Sequence, residues 1–199
     1  PYTRRYFEEL IRTGRIAAVT PSDTWYETRK DFSAGQVGID MPAYKNDGFE
    51  LLRGHAHFEG EILGGCIDTF FDMFDGTRYA DMPDVIRRYG LFPAAGAWRG
   101  KILLLESSEE KPSPEKYRRA LEYLRGAGVF AAVSGVLVGK PMDDTHHAAY
   151  KQALLDIIPD MELPIVCNLS VGHAQPRCIL PFGVHATVDA DTQRIAFAF

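Results

Sequence analysis

Two side chains with complementary chemistry stand at comparable places in this chain. Glu106 closes the apolar run KILLLE, and His173 follows the apolar run PIVCNL by a few residues, between Gly172 and Pro176. A carboxylate bonded to one ring nitrogen fixes the tautomer of an imidazole and steadies the imidazolium. The other nitrogen is then free to take a proton from a nucleophile. Such a pair forms only if both residues leave the same edge of one sheet. The local alternative has Glu106 capping the following turn and His173 packing on the sheet. A nucleophile is harder to find. Ser107, Ser108, Ser134 and Ser170 are available, and none lies in a GxSxG elbow or in a glycine-flanked turn before a helix. In LESSEE, Ser107 and Ser108 read as turn or helix-capping residues.

The surrounding pattern says which elements must position that pair. Residues 101–105 read as a buried strand. Residues 113–126 read as an amphipathic helix with Pro114 in its first turn. A second strand (133–138), a second helix (145–158) and a third strand (165–169) follow. Strand, helix, strand, helix, strand implies right-handed crossovers and a short parallel layer, hence an α/β fold. In such sheets the chemistry gathers at the carboxyl ends of the strands. Additional strands are expected at 49–52, 55–58 and 61–64, helices at 2–13, 67–74 and 82–89, and a terminal hairpin over 184–199. Residues 20–46 lack a period and read as a functional linker.

Composition narrows the classes. A chain of 199 residues with 46% hydrophobic and 25% charged residues is of globular type and long enough to bury a core. A net charge of −5 without a basic stripe argues against nucleic acid or an anionic membrane as partner. Three cysteines without CxxC spacing read as small buried hydrophobes, and the cytoplasm is the simplest compartment. There is no apolar run long enough to span a membrane and no signal-peptide pattern. The chain opens at Pro1 and enters a helical pattern at once, which reads as a start inside a longer protein.

Several other residues carry competing readings. Lys140, ending a strand in VGKP, can meet a phosphate or carboxylate, or be a surface lysine. Gly64 and Gly65 before Cys66 allow a ligand near the backbone, or simply turn a strand into a helix. His55, His57 and Glu59 alternate on one strand face. This could be a metal site for a hydrolase, but no fourth ligand is evident, and a solvated face is the plainer reading. His146 and His147 read as surface residues near a helix start.

The segments LLLESSEEKPSPEKYRRALEYLRGAGVF, VSGVLVGKP, PIVCNLSVGHAQPRCILPFGVHATVDA and GEILGGCIDTFFDMFDGTRY resemble, in register, the LD-carboxypeptidase serine peptidase family over about residues 49–197. The ESSEE run leans toward its microcin C immunity branch. The resemblance implies a swivelling β/α domain at 49–199, a linker at 33–48, and at 1–32 the tail of an N-terminal nucleophile domain. It implies a metal-independent, cofactor-free Ser–Glu–His triad in which Glu106 and His173 are the acid and base. The serine, with most of the oxyanion hole, would come from the N-terminal domain. It implies an aminoacyl- or peptidyl-nucleotide substrate cleaved at an amide, with Phe49 or Trp25 stacking on the base, and a homodimer. Family members often carry a polar amide where Cys66 stands, which puts a substrate contact there in doubt. The alternatives are murein tetrapeptide recycling and a non-catalytic binding or dimerisation domain.

Overall fold

The computed structural model describes residues 1–199. Ten strands and five α-helices follow in chain order: α1 (Tyr2–Thr13), β1 (Ala18–Val19), β2 (Thr24–Tyr26), β3 (Ala43–Lys45), β4 (Glu50–Arg53), β5 (His57–Cys66), α2 (Ile67–Asp75), α3 (Met82–Tyr89), β6 (Lys101–Glu106), α4 (Pro114–Gly126), β7 (Gly135–Gly139), α5 (His147–Ile157), β8 (Ile165–Leu169), β9 (His185–Asp189) and β10 (Arg194–Ala198). Eight strands form one sheet in the order β1-β10-β9-β5-β6-β7-β8-β4. Its centre, β5-β6-β7-β8, is parallel, and both flanks are antiparallel.

The run KILLLE is continuous because β6 is buried on both faces. Leu103 and Leu105 join Val136, Val138, Ile165 and Cys167 beneath α2, α4 and α5. Ile102 and Leu104 join Leu137 and Val166 on the other face, where Tyr6 of α1 and Ile16 complete a second core. A parallel strand covered on both sides must read as unbroken apolar sequence. On β9 and the first half of β5 only one face is covered, so the pattern alternates: Phe58 and Ile62 are buried while His57, Glu59 and Glu61 are exposed.

Helix α4 starts where Ser113 Oγ accepts from Lys116 N at 3.3 Å and Pro114 occupies the first turn. It buries Tyr117, Leu121 and Leu124. Tyr117 stacks on Tyr150 of α5, with ring centroids 4.0 Å apart, so the two crossover helices are pinned to each other.

Three expectations need revision. The strands expected at 55–58 and 61–64 are one ten-residue strand, β5, which runs parallel to β6 and makes the parallel layer four strands rather than three. The strand expected to open at 133 opens at Gly135, because Val133 N still donates to Val129 O in the turn that follows α4. The segment 20–46 is not featureless: β2 and β3 pair as an antiparallel hairpin. Residues ahead of it are built into the sheet, since β1 pairs with β10 and Tyr6, Ile16 and Val19 are buried.

Candidate active site

Register places the site. Cys66 on β5 pairs with Glu106 on β6, Leu105 with Val138 on β7, and Gly139 with Leu169 on β8. The carboxyl ends of all four parallel strands therefore open on one edge, the place where open α/β sheets gather ligands. Five of the six non-glycine residues with left-handed φ stand there: Lys111, Asp143, Asp144, His146 and Asn168. Clustered strain of this kind persists only where the surroundings hold it, and it marks functional edges.

Glu106 and His173 meet on this edge. His173 Nδ1 lies 2.8 Å from Glu106 Oε2, and the glutamate side chain is only 11% exposed. A carboxylate can only accept, so Nδ1 carries the proton and donates it. Gly172 makes the approach possible. Its φ is +76°, and a Cβ there would lie 2.7 Å from Glu106 Cβ. Beyond His173 the chain is tied down by Tyr26 N donating to Gln175 O at 2.9 Å and Cys178 N donating to Ser170 O at 2.7 Å. The second ring nitrogen, Nε2, lies 2.9 Å from Glu109 Oε2.

Three of the four candidate serines have hydrogen-bond partners away from His173. Ser134 Oγ donates to Glu59 O at 2.7 Å, Ser170 Oγ accepts from Ser22 N at 3.3 Å, and Ser108 Oγ accepts from Glu110 N at 3.2 Å. Ser107 is buried at the end of β6.

Cys66 sits half-buried as the N-cap residue of α2, beside Glu106 in the ladder. Burial, with the Glu106 charge adding to it, pushes its thiol up to about 11, so it is no thiolate nucleophile at neutral pH. The sequence reading missed its neighbour Asp68. That carboxylate is buried, accepts from Ser108 N at 3.1 Å, and stands 3.2 Å from Lys116 Nζ, so it anchors the loop that follows Glu106.

Lys140 is not a surface lysine. It is 7% exposed, paired with Asp144, and its ammonium lies 4.6 Å from the centre of the Trp25 ring. Burial raises the Asp144 carboxyl, but the Lys140 ammonium and His147 outweigh it, and the group ends below its ordinary value. Trp25 also stacks on Tyr44 across the hairpin, at 4.5 Å and 18°. Trp25 and Lys140 share an open cavity of about 430 Å³ with Asn46, Asp144, His147 and Lys151. Phe49 touches its rim, but the residue is 7% exposed and packs in the second core. Asn168, buried in β8, donates to Asn46 Oδ1 at 2.9 Å and to Gly48 O at 2.6 Å, which ties the linker to the strand that leads to His173. Asp143 ties the hairpin as well, taking Thr28 N at 2.7 Å, Thr28 Oγ1 at 2.8 Å and Lys111 Nζ at 2.6 Å.

The residues read as a possible metal face separate. Glu59 turns to His185 at 3.5 Å, and His57 turns to Asp189 and Asp191, each at 3.5 Å, on the open face of β5 and β9. These last three place donor atoms within 4.8 Å of one another, and they are the group whose donors could share a cation.

Residues 59–188 match the family model of the LD-carboxypeptidase C-terminal domain. The chain belongs to the LD-carboxypeptidase family. It is 56% identical to an MccF-like protein from Streptococcus pneumoniae solved in complex with AMP, with a TM-score of 0.96, covering 100% of this chain and 57% of that one. The microcin C7 self-immunity protein MccF of Escherichia coli is 22% identical over 91% of this chain and 48% of its own length. A solved structure of MccF with glutamyl sulfamoyl guanosine shares the fold at 19% identity and a TM-score of 0.74, covering 98% of this chain and 54% of that one. The chain thus spans about half the length of the curated relatives it matches.

Proposed function

We propose that this chain supplies the acid and base of a serine peptidase that hydrolyses the amide of aminoacyl- or peptidyl-nucleotide conjugates. The observation that carries the reading is the 2.8 Å contact between Glu106 Oε2 and His173 Nδ1 at the carboxyl edge of the sheet. In this reading residues 49–199 are the domain that carries the pair, 33–48 the linker, and 1–32 the tail of a nucleophile domain that contributes the serine. Glu106 holds the Nδ1–H tautomer. Nε2 removes the serine proton as the hydroxyl attacks the carbonyl carbon. The imidazolium then returns that proton to the leaving nitrogen, and an activated water releases the acyl group in the second half-reaction. Trp25 is the aromatic surface for the base, and Lys140, held by Asp144, braces it directly with its ammonium 4.6 Å from the ring centre. Phe49 takes a packing role, and Cys66 lines the strand end without reacting. The AMP held by the pneumococcal relative and the aminoacyl-sulfamoyl nucleosides held by MccF favour this substrate class.

The test uses the full-length protein with an aminoacyl sulfamoyl adenosine and, side by side, a murein tetrapeptide, read by mass spectrometry. Release of the amino acid from the nucleoside is the expected result. Release of D-alanine instead moves the protein to peptidoglycan recycling. No release of either leaves the edge as a binding surface and sinks the catalytic reading.

A further inference from the structure

A base must present its free nitrogen to the nucleophile, and in this chain that nitrogen is taken. Glu109 Oε2 stands 2.9 Å from His173 Nε2. Its neighbour Glu110 pairs with Arg78 at 3.1 Å, whereas the ion pair of Glu109 is with His173. The Glu109 side chain is 66% exposed, and an exposed pair of this kind is weak and changes partner readily. The backbone on both sides is fixed. Ser108 N is held by the buried Asp68, and Lys111 N donates to Ser108 O at 3.2 Å. What is free to move is the Glu109 side chain.

The other carboxylate in contact with the ring, Glu106, is committed to Nδ1 and nearly buried. Glu109 is thus the negative group available to a substrate at this nitrogen. A nucleophile oxygen sits about 2.6–3.2 Å from Nε2 and attacks a carbon about 3–3.5 Å further on. In an aminoacyl conjugate the α-ammonium is attached one carbon beyond that carbonyl. It arrives within the sweep of a glutamate side chain that pivots about a fixed Cα.

Resting on the serine-peptidase reading above, we propose that Glu109 selects substrates with a free α-ammonium. In the resting chain both ring nitrogens donate to carboxylates, Nδ1 to Glu106 and Nε2 to Glu109. When Glu109 turns to the ammonium of the aminoacyl group, the Nε2 proton passes to water and the freed nitrogen accepts the proton of the serine hydroxyl. The preferred substrate class is then an aminoacyl conjugate with an unblocked amine, and Nα-acylated conjugates are disfavoured.

The test compares the full-length protein with its Glu109→Gln variant on an aminoacyl sulfamoyl adenosine and on its Nα-acetyl counterpart. Wild type is expected to favour the free amine by about tenfold or more in kcat/KM, and the variant to bring the ratio near one. A ratio undiminished in the variant overturns the proposal and leaves the peptidase reading standing. A second measurement needs no turnover: labelling of His173 by diethyl pyrocarbonate in the 199-residue chain, followed by peptide mass mapping, with the exposed His55 as internal reference. Glu109→Ala is expected to speed labelling of His173 severalfold relative to His55. An unchanged rate overturns the resting contact and the proposal with it. Faster labelling with no turnover of either conjugate keeps the contact and takes down both the ammonium role and the peptidase reading.

Discussion

Two histidines leave the carboxyl edge of the sheet with the same first contact. His173, after β8, has Nδ1 2.8 Å from Glu106, and His147, opening α5 after β7, has Nδ1 2.8 Å from Asp144. They part at the second nitrogen. His173 is 35% exposed and its Nε2 faces the exposed Glu109 carboxylate, whereas His147 is 16% exposed and its Nε2 is buried without a hydrogen-bond partner. Burial pushes the His147 imidazole below its ordinary value, the Asp144 carboxylate opposes that, and the Lys140 ammonium adds to it. The same imidazole–carboxylate contact thus leaves the second nitrogen in two different settings, behind one exposed side chain at His173 and sealed in the protein at His147.

The sharpest way to break this comparison is to mutate both pairs in the full-length protein. His173→Ala or Glu106→Gln is expected to lower kcat by about 10³–10⁴-fold with melting unchanged, while His147→Asn costs less than about tenfold. Equal losses at the two histidines would erase the distinction.

A second test strikes the backbone that brings the reachable pair together. Gly172→Ala is expected to cost about 1–3 kcal/mol in urea unfolding and most of the activity, because the added methyl meets the Glu106 side chain in a left-handed residue. Gly90→Ala, also left-handed but with nothing within 4 Å of the new Cβ, is the control and costs about 1 kcal/mol. A gentle Gly172→Ala would mean the close approach is not needed.

On the His147 side the expected effects are smaller. Lys140→Met removes the cation from a pair whose acid is 43% exposed, so solvent takes up much of the loss, and about 1–2 kcal/mol is expected, with altered Trp25 fluorescence. Unaltered fluorescence would remove Lys140 as the brace of the tryptophan.

The smallest effect concerns Asp143. Burial raises its carboxyl, but Lys111 and Thr28 more than offset that, and the group ends below its ordinary 3.8. A lowered carboxyl stabilises the fold above its unfolded value, and that stability is lost as pH falls through the lowered folded value. Asp143→Asn should therefore melt about 1–2 °C below wild type near neutrality, with the gap closing below pH 3.8. A gap independent of pH would assign the loss to shape rather than charge.

The parts of this molecule that could be read in sequence are those whose cause is local or periodic. β6, β7 and β8 announce themselves because burial on both faces forces unbroken apolar runs, and Glu106 and His173 stand out because they end or follow such runs. In sequence β5 reads as two strands because Gly60 interrupts its alternation, although the backbone passes straight through. Asp68, Asp143 and Asn168 were missed for a different reason. Each is an ordinary polar residue whose importance comes from a partner 40, 115 or 122 positions away. Lys140 stands out as a strand-ending lysine, but its burial against Trp25 of the β2–β3 hairpin has no trace in the sequence around it.

The antiparallel flanks of the sheet have one more consequence. Its outermost strands are short: β1 has two residues, and β4 has four with an irregular register between Leu51 and Arg53. An edge strand is a template that another copy can extend, and brief, kinked, charged edges deny it. Glu50 is held by Lys151, and Arg53 reaches back to Ile158 O at 3.0 Å. The four parallel strands at whose carboxyl ends Glu106 and His173 meet are thereby insulated on both sides from amyloid-like strand addition.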